Sequence, residues 1–258
     1  MIELILLILL GLLIATLSSM IGLAGGALMV PALVLIFGLA TQKAVGVSLF
    51  AIMFTTISAT VAYAVHGRIR YKVGLLLDTL DVPGAVLGAY ITTLVASKLL
   101  AGMFGGLLVF IAIYIIWKKN SRTKAGSNHK FLGLSTRVLI YCMIGSFVSG
   151  VVSAMFGIGG GAIDETVMIL LLGMSIHLSA GTAMFGMAIT TVAAVIPHWF
   201  LGNISLEYAI PLAMGCVIGG QIGPYLSKQT RASTLKKILA AVFIFIGLRM
   251  LLVPLIAA

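Results

Sequence analysis

Charged residues are scarce in this sequence: Asp, Glu, Lys and Arg make up only 9% of its 258 residues, and only six residues are acidic. Soluble domains carry about 25% charged residues, so this composition excludes an ordinary soluble globular domain. Only two cysteines occur, Cys142 and Cys216, and both fall within apolar segments. We expect them to be small buried side chains rather than a redox pair or metal ligands.

Motifs for enzymatic chemistry are also missing. The sequence has no His-Glu-x-x-His zinc motif and no nucleophile elbow, which are signatures of metalloproteases and serine hydrolases. Two membrane aspartates could form a protease dyad, but Gly-Gly-Ala-Ile precedes Asp164 instead of a Gly-x-Gly step. We therefore expect a protein that is not an enzyme, and the sequence indicates no cofactor and no metal.

Hydrophobic residues, by contrast, make up 61% of the chain, and its mean hydropathy is +1.24. A helix needs about 20 apolar residues to span a bilayer, and open strands would leave backbone groups unpaired in lipid. We therefore predict an all-α integral membrane protein. The first apolar stretch has no basic region before it and no polar cleavage region after it, which favours a retained span over a signal peptide. Eight long stretches lie near residues 2–21, 43–65, 73–95, 99–117, 136–156, 177–200, 205–226 and 236–257.

The sequence is duplicated at a constant offset of 135 residues without a gap. We predict two transmembrane repeats, residues 1–117 and 136–258, joined by a polar linker at 118–135. Internal duplication of a glycine-interrupted apolar unit is typical of secondary transporters, whose substrate site forms where the repeats meet. Gly22, Gly25 and Gly26 recur as Gly157, Gly160 and Gly161, and later pairs include Gly46 with Gly181, Thr55 with Thr190, Gly84 with Gly219, and Tyr90 with Tyr225.

The basic residues predict how the repeats are oriented. The net charge of +10 comes mostly from three loops, which the positive-inside rule places in the cytoplasm. The loop that contains Arg68 corresponds, in the second copy, to a loop that lacks basic residues and carries Glu207. This opposite charge bias favours inverted-topology repeats, and we expect a lipid bilayer rather than a nucleic acid as the partner of the basic loops.

Inverted repeats require an odd number of crossings in each half, so the four long helices need a fifth element. The apolar segments 26–38 and 161–173 are too short to span the bilayer alone and are typical of a broken or re-entrant helix after a glycine-rich motif. Thirteen basic residues and the linker 118–135 then lie inside, and both termini lie outside with Lys43, Lys98 and Arg249. The alternative is eight plain spans in two parallel repeats, a topology that mixes the charge between the two sides.

The two glycine motifs are candidate anion-binding sites. Glycine tolerates positive φ and lets successive N–H groups point into one concavity, and the helix that follows adds the positive end of its dipole. The alternative is that these glycines only permit close helix contact. The residues concerned are Gly22, Gly25 and Gly26 in the first half, and Gly157, Gly160 and Gly161 in the second.

The sequence resembles the TauE/SafE family of sulfite and organosulfur anion transporters. The resemblance rests on the Gly-x-x-Gly-Gly-Ala-x-x-x-Pro run that ends at Pro31, on the Ala44-Val45-Gly46-x-Ser48 stretch and on the Gly84 to Gly88 helix, and the glycines of all three recur in the second copy. It covers the chain from Ile5 to about Leu252. It implies an inner-membrane permease for small sulfur-containing anions such as sulfite. The second motif departs from the family pattern because Asp164, Glu165 and Thr166 follow it.

Three polar side chains near the motifs are further candidates for substrate binding. Ser48, Thr182 and Gln221 can donate hydrogen bonds to sulfonate or carboxylate oxygens. The alternative for the two hydroxyls is helix back-bonding or interhelical packing.

Four acidic residues lie in apolar segments, where a carboxylate is costly and suggests a function. Asp78 and Asp81 share one helical face, and Asp164 and Glu165 follow the second glycine motif. We expect one of the four, first Asp164 or Glu165, to bind a coupling proton. The alternative for Asp78 and Asp81 is an ion pair near the cytoplasmic Lys72.

The sequence therefore predicts a secondary transporter of a small anion that works by alternating access between the repeats. The alternatives are a proton- or cation-linked carrier of another small solute, and a non-transporting accessory membrane protein. The oligomeric state is open, with a homodimer as one option.

Overall fold

The computed structural model describes residues 2–23, 25–117, 136–227 and 232–256, and in these ranges helices joined by short turns and loops are the only regular secondary structure. The eight long apolar stretches are confirmed as helices. The predicted linker 118–135 lies outside the described residues, so the repeat boundaries remain predictions. The helices are α1 (Ile2–Ile21), α2 (Gly26–Leu35), α3 (Thr41–Val65), α4 (Tyr71–Leu94), α5 (Ser97–Trp117), α6 (Thr136–Phe156), α7 (Gly161–Leu170), α8 (Ile176–Phe200), α9 (Leu206–Leu226) and α10 (Ala232–Ile256).

Two helices, α2 and α7, are much shorter than the others, as the sequence predicts. Each has 10 residues and is therefore about 15 Å long, half the thickness of a bilayer core. Each begins after a glycine in the left-handed conformation, Gly25 with φ 99° and Gly160 with φ 69°. Because this conformation is strained for residues with a Cβ, glycine fixes where both short helices start.

Six of the described helices are long and apolar enough to cross a membrane, judged by length and composition. Shorter apolar helical segments occur at Gly26–Leu35, Ser97–Ile113 and Ala240–Leu252. The six candidate spans are Ile2–Ile21, Thr41–Val65, Tyr71–Leu94, Arg137–Phe156, His177–Phe200 and Leu206–Leu226.

The first helix of each half packs against the fourth helix of the other half: α1 against α9, and α6 against α4. Glycines make these contacts close, because Gly219 lies against the Leu12 carbonyl and Gly84 lies against the carbonyl of Phe147. These four residues are two pairs at the 135-residue offset. The packing therefore obeys a local two-fold relation between the halves.

The equivalent helices α3 and α8 pack against each other in opposite directions. Gly46, near the start of α3, lies against Asn203, which follows the end of α8. Gly181, near the start of α8, lies against Arg68, which follows the end of α3. Midway, the hydroxyl oxygens of the equivalent residues Thr56 and Thr191 lie 3.5 Å apart. Equivalent helices thus run antiparallel.

Helices α1 and α3, by contrast, run in the same direction. The Tyr63 hydroxyl, near the end of α3, donates to the carbonyl of Ser19, near the end of α1, at 2.8 Å. Both helices also run parallel to α9. Along α1, Gly219 and then Gly223 of α9 meet successive turns. Along α3, Gln221 bonds Ser58, and Tyr225 packs on His66 just after the end of that helix. The residues between α1 and α3, including α2, therefore carry the chain back.

The antiparallel contact between α3 and α8 can be tested by cross-linking. In a background that lacks Cys142 and Cys216, we expect T56C/T191C to be bridged by Hg²⁺, which links neighbouring thiols without requiring disulfide geometry. Cutting the chain between residues 118 and 135 then leaves the halves joined on a gel. The control is T56C/T190C, since Thr190 faces Asp81 instead. Equal cross-linking of the two variants would contradict this packing.

Candidate functional site

The two glycine motifs meet where the halves cross. Gly26, the first residue of α2, lies against the carbonyl of Gly157 and against Ile158. In the equivalent contact, Gly161 lies against the carbonyl of Gly22. A Cβ on either Gly26 or Gly161 would overlap these backbone atoms, so only glycine fits. We refer to residues 22–26 and 157–161 as the glycine turns.

Two helix N-termini lie at this crossing, because each glycine turn leads directly into a short helix. The N-terminus of a helix carries about half a positive elementary charge and exposes N–H groups that lack helical partners. Two such ends beside each other favour an anion and avoid the cost of burying a lysine or an arginine.

Ser48 is the predicted polar residue that the structure brings to the crossing. Its side chain is fully buried on α3, and its hydroxyl donates to the carbonyl of Gly157 at 3.1 Å. The equivalent residue in the second half is Ala183, which has no hydroxyl. The hydroxyl of Ser48 on α3 therefore has no counterpart on α8, and this contact occurs once in the pseudo-two-fold arrangement.

Thr182 and Gln221 make their hydrogen bonds elsewhere. The Thr182 hydroxyl donates to the carbonyl of Leu178 at 2.7 Å and accepts from the backbone N–H of Arg70 at 3.0 Å, which ties α8 to the loop after α3. The Gln221 amide donates to the carbonyl of Ser58 at 2.8 Å and links α9 to α3. These contacts fit helix packing, and substrate contact by either residue remains a prediction.

The acidic residues are buried and form one cluster beside the second glycine turn. Asp78 and Asp81 on α4 and Asp164 on α7 are 6%, 1% and 5% exposed. The hydroxyl of Thr190, on α8, lies 2.5 Å from an Asp81 oxygen and 3.5 Å from an Asp78 oxygen. The Ser149 hydroxyl, on α6, faces both Asp81 and Asp164. The acidic cluster thus comprises Asp78, Asp81 and Asp164 from two helices, and two further helices supply the hydroxyls that contact it.

Glu165 points to a different place, although it is the neighbour of Asp164. Its side chain is 7% exposed and lies beside Gly22, and it interacts electrostatically with Tyr63. Adjacent residues on a helix project about 100° apart, so one carboxyl faces α6 while the other faces the first glycine turn. The two candidates for proton coupling on α7 thus occupy separate surroundings.

The equivalent pocket in the first half has no acidic residue. Gly160 is bordered by Ser149, Ser153 and Asp164, whereas its equivalent Gly25 is bordered by Ile14, Ser18 and Met29. These are the same positions shifted by 135 residues. The residue that corresponds to Asp81 is Cys216, and the one that corresponds to Asp78 is Ala213. The fold therefore builds two similar pockets, of which one is acidic.

The sequence analysis did not select Ser149, and it did not connect Thr190 with these acids. A signal for Ser149 is present in the duplication, because a serine replaces Ile14 where an aspartate replaces Met29. Thr190 gives no such signal, since its counterpart Thr55 is also a threonine. Among the described residues, no group of three His, Cys, Asp or Glu side chains is arranged to hold a metal ion.

Comparison with known proteins decides the family. The family model described as "Sulfite exporter TauE/SafE" matches residues 7–250. The chain belongs to the TauE/SafE family. "Probable membrane transporter protein YunE" of Bacillus subtilis is 30% identical over 264 residues, which cover 96% of this chain and 97% of that protein. The family resemblance predicted from the glycine motifs is confirmed.

Two further relatives carry one or the other of these descriptions. "Probable membrane transporter protein YdhB" of Bacillus subtilis is 27% identical over 84% of this chain and 88% of its own length. "Sulfite exporter TauE/SafE family protein 3" of Arabidopsis thaliana is 29% identical over 43% of this chain and 24% of that protein. No solved structure matches the chain. The chain is thus a multi-pass membrane protein of a family of transporters rather than enzymes.

The glycine contact at the crossing has a measurable consequence for stability. In Gly161→Ala, the added methyl group meets the carbonyl of Gly22 and the side chain of Met187. We expect a loss of about 1–3 kcal/mol, the usual cost of overpacking, seen as a lower melting temperature in detergent. The control is Gly106→Ala on α5, where no atom lies within 4 Å of the new methyl group. Equal melting temperatures for both variants would show that the turns do not touch.

Proposed function

We propose that this protein is a secondary transporter of small anions, first sulfite or related organosulfur anions, with its substrate site at the crossing of the glycine turns. The observation that carries this proposal is the contact of Gly26 with Gly157 and of Gly161 with Gly22, which brings the start of each short helix against the glycine turn of the other half. Helix N-termini are established anion-binding positions. The name of the family supplies sulfite as the first anion to test.

Alternating access follows from a fold with two inverted halves. In our proposal each half crosses the membrane five times, through four long helices and the returning segment that contains α2 or α7. The antiparallel arrangement of α3 and α8 supports this topology. An inverted repeat can open the same central site to either side by exchanging the conformations of its halves. The basic loops then place the linker 118–135 in the cytoplasm of a cell whose inner membrane holds the protein.

A proton is the coupling ion in this proposal. Three carboxyls lie buried beside the second glycine turn, and none of the groups found to act on them is a lysine or an arginine of the described chain. An unpaired buried carboxylate is costly, and binding a proton removes that cost. The same cluster is what favours the second candidate function, a cation-linked carrier of another small solute.

Flux into proteoliposomes tests the function directly. Purified protein is reconstituted and supplied with sulfite, thiosulfate, sulfoacetate or small carboxylates, with and without a pH gradient. We expect saturable uptake of at least one sulfur anion. Uptake no faster than in protein-free vesicles for every anion would contradict the proposal, and uptake of a neutral solute alone would favour the second candidate.

Ser48 provides a test of where the anion binds. In our proposal the Ser48 hydroxyl turns its hydrogen from the Gly157 carbonyl to the bound anion. In Ser48→Ala this hydroxyl is lost, and we expect the anion concentration for half-maximal uptake to rise about tenfold, the usual effect of one hydrogen bond to a charged group. The matched control is Ser58→Ala. This variant removes another hydroxyl from α3, one that donates to the carbonyl of Val217 at 2.6 Å. Equal effects of the two variants would place the site elsewhere.

The position of the C-terminus tests the inverted topology. With five crossings in each half and basic loops inside, a reporter fused after residue 258 should lie outside the cytoplasm, and a reporter inserted between residues 118 and 135 should lie inside. Paired reporters such as alkaline phosphatase and a fluorescent protein read out the two sides. A cytoplasmic C-terminus would favour two parallel repeats instead.

A further inference from the structure

The acidic cluster has more hydrogen-bond acceptors than donors. A threonine hydroxyl has one hydrogen to donate, yet Thr190 lies against Asp81 at 2.5 Å and against Asp78 at 3.5 Å. It cannot donate to both carboxylates at once. The two contacts are satisfied together when a protonated Asp78 donates to Thr190 and Thr190 donates to Asp81.

Ser149 repeats this pattern one step nearer the glycine turn. Its hydroxyl faces Asp81 and Asp164, and its single hydrogen is donated to the carbonyl of Gly160 at 3.1 Å. Contact with either carboxyl then requires a carboxyl hydrogen donated to the serine oxygen. The five residues thus form a continuous polar chain from α4 to the start of α7: Asp78, Thr190, Asp81, Ser149 and Asp164.

Several buried atoms beside this chain lack a hydrogen-bond partner. One oxygen each of Asp78, Asp81 and Asp164 has none. The hydroxyl of Ser153, a fully buried residue that borders Gly160 together with Asp164, also has none. Such atoms are rare in folded proteins, and each calls for an explanation such as a bound water, an ion or a functional role. A partner of the three carboxyl oxygens would supply hydrogens or positive charge.

The other titratable groups on the surrounding helices do not supply that charge. On α4 the other titratable side chains are Tyr71 and Lys72 at the start of the helix and the exposed Tyr90. On α6 the described ones are Arg137 at the start, the exposed Tyr141 and Cys142, and on α8 they are His177 at the start and His198 near the end. His198 bonds the carbonyl of Ala154 and the side chain of Asn203. Glu165 on α7 faces Gly22. The three aspartates are therefore the titratable groups that face one another.

We propose that these five residues form one proton-binding relay, in which Thr190 and Ser149 pass the proton between carboxyls and Asp164 delivers it beside the anion. This inference rests on the proposed anion transport and adds its coupling route. At each step a carboxyl O–H bond breaks as a hydroxyl oxygen accepts that proton, and the same hydroxyl releases its own proton to the next carboxylate. For the second step the Ser149 hydroxyl turns its hydrogen from the Gly160 carbonyl to the Asp164 carboxylate. No oxidant or reductant is needed, since only protons move.

The position of Asp164 determines the direction of coupling. An ionised Asp164 at the start of α7 would repel an anion held at the same helix N-terminus, and in a buried site this repulsion is strong. A protonated Asp164 removes it, so proton and anion bind together. The relay therefore predicts that anions and protons cross the membrane in the same direction.

The duplication supplies a matched control for the relay. Thr55 is the equivalent of Thr190, but it faces the equivalent pocket of the first half and its hydroxyl bonds the carbonyl of Ala51 at 3.3 Å in its own helix. Both residues are essentially fully buried. Thr190→Val and Thr55→Val therefore make the same change at equivalent places, and only the first interrupts the relay.

The test separates anion exchange from proton-driven accumulation. Thiosulfate is a suitable probe because it stays ionised, so that a pH gradient cannot trap it passively. Exchange of labelled for unlabelled thiosulfate at equal pH reports the anion site. Accumulation driven by an acidic exterior, followed with a pH dye inside the vesicles, reports coupling.

For Thr190→Val we expect exchange to be retained and pH-driven accumulation to fall about tenfold or more, as the loss of a hydrogen bond to a charged group implies. Thr190→Ser should restore accumulation, and Thr55→Val should leave both activities at the wild-type level. Asp81→Asn, which keeps the shape of a protonated carboxyl, should exchange thiosulfate without net accumulation.

Three results would overturn the relay. One is wild-type accumulation by Thr190→Val, the second is thiosulfate moving against the proton flux, and the third is accumulation that follows a Na⁺ gradient at equal pH. In each of these cases anion exchange by the wild type would still support the transporter proposal. Absence of exchange for every anion in the wild type would instead remove the proposed function and the relay with it.

Discussion

Between the two halves, the backbone of Gly26 touches the carbonyl of Gly157, and Gly161 touches the carbonyl of Gly22. No side chain separates the two backbone segments at these points, so the contact depends on glycine in both copies. It sets where α2 and α7 begin and keeps their N-termini together. The antiparallel helices α3 and α8 surround this contact. So do α1 and α6, each of which packs against the fourth helix of the other half, and together these helices hold the contact in place.

A two-fold relation in the fold does not produce two equal sites. The same backbone geometry borders Gly25 with Ile14, Ser18 and Met29, and borders Gly160 with Ser149, Ser153 and Asp164. One pocket can then serve packing while the other binds a charge-compensating ligand, which evolution can reach by substituting a few side chains on an unchanged scaffold. In our account this asymmetry gives the transporter one coupling route, beside an anion site that both halves build.

Much of the fold could be predicted from the sequence, because apolar length and duplicated glycines act locally. These signals located the eight long helices, the two short helices and the family. The site was less predictable. Asp164 and Glu165 are neighbours in the sequence but face different helices, and the link from Asp81 to Asp164 runs through Ser149, a residue on another helix. The direction of each side chain and the contacts between distant helices determine which residues meet at the site. Local sequence patterns do not predict either of them.

Hydrogen–deuterium exchange of the reconstituted protein, with and without saturating thiosulfate, tests the central claim most directly. An anion bound by backbone N–H groups should slow exchange in peptides that contain residues 22–26 and in peptides that contain residues 157–161. Peptides from α5 beyond Phe104, the residue that packs on Phe156 before the second glycine turn, serve as the internal reference. Slowed exchange in both glycine turns is the result we predict. Unchanged exchange in both turns, in a sample that transports thiosulfate, would contradict the account.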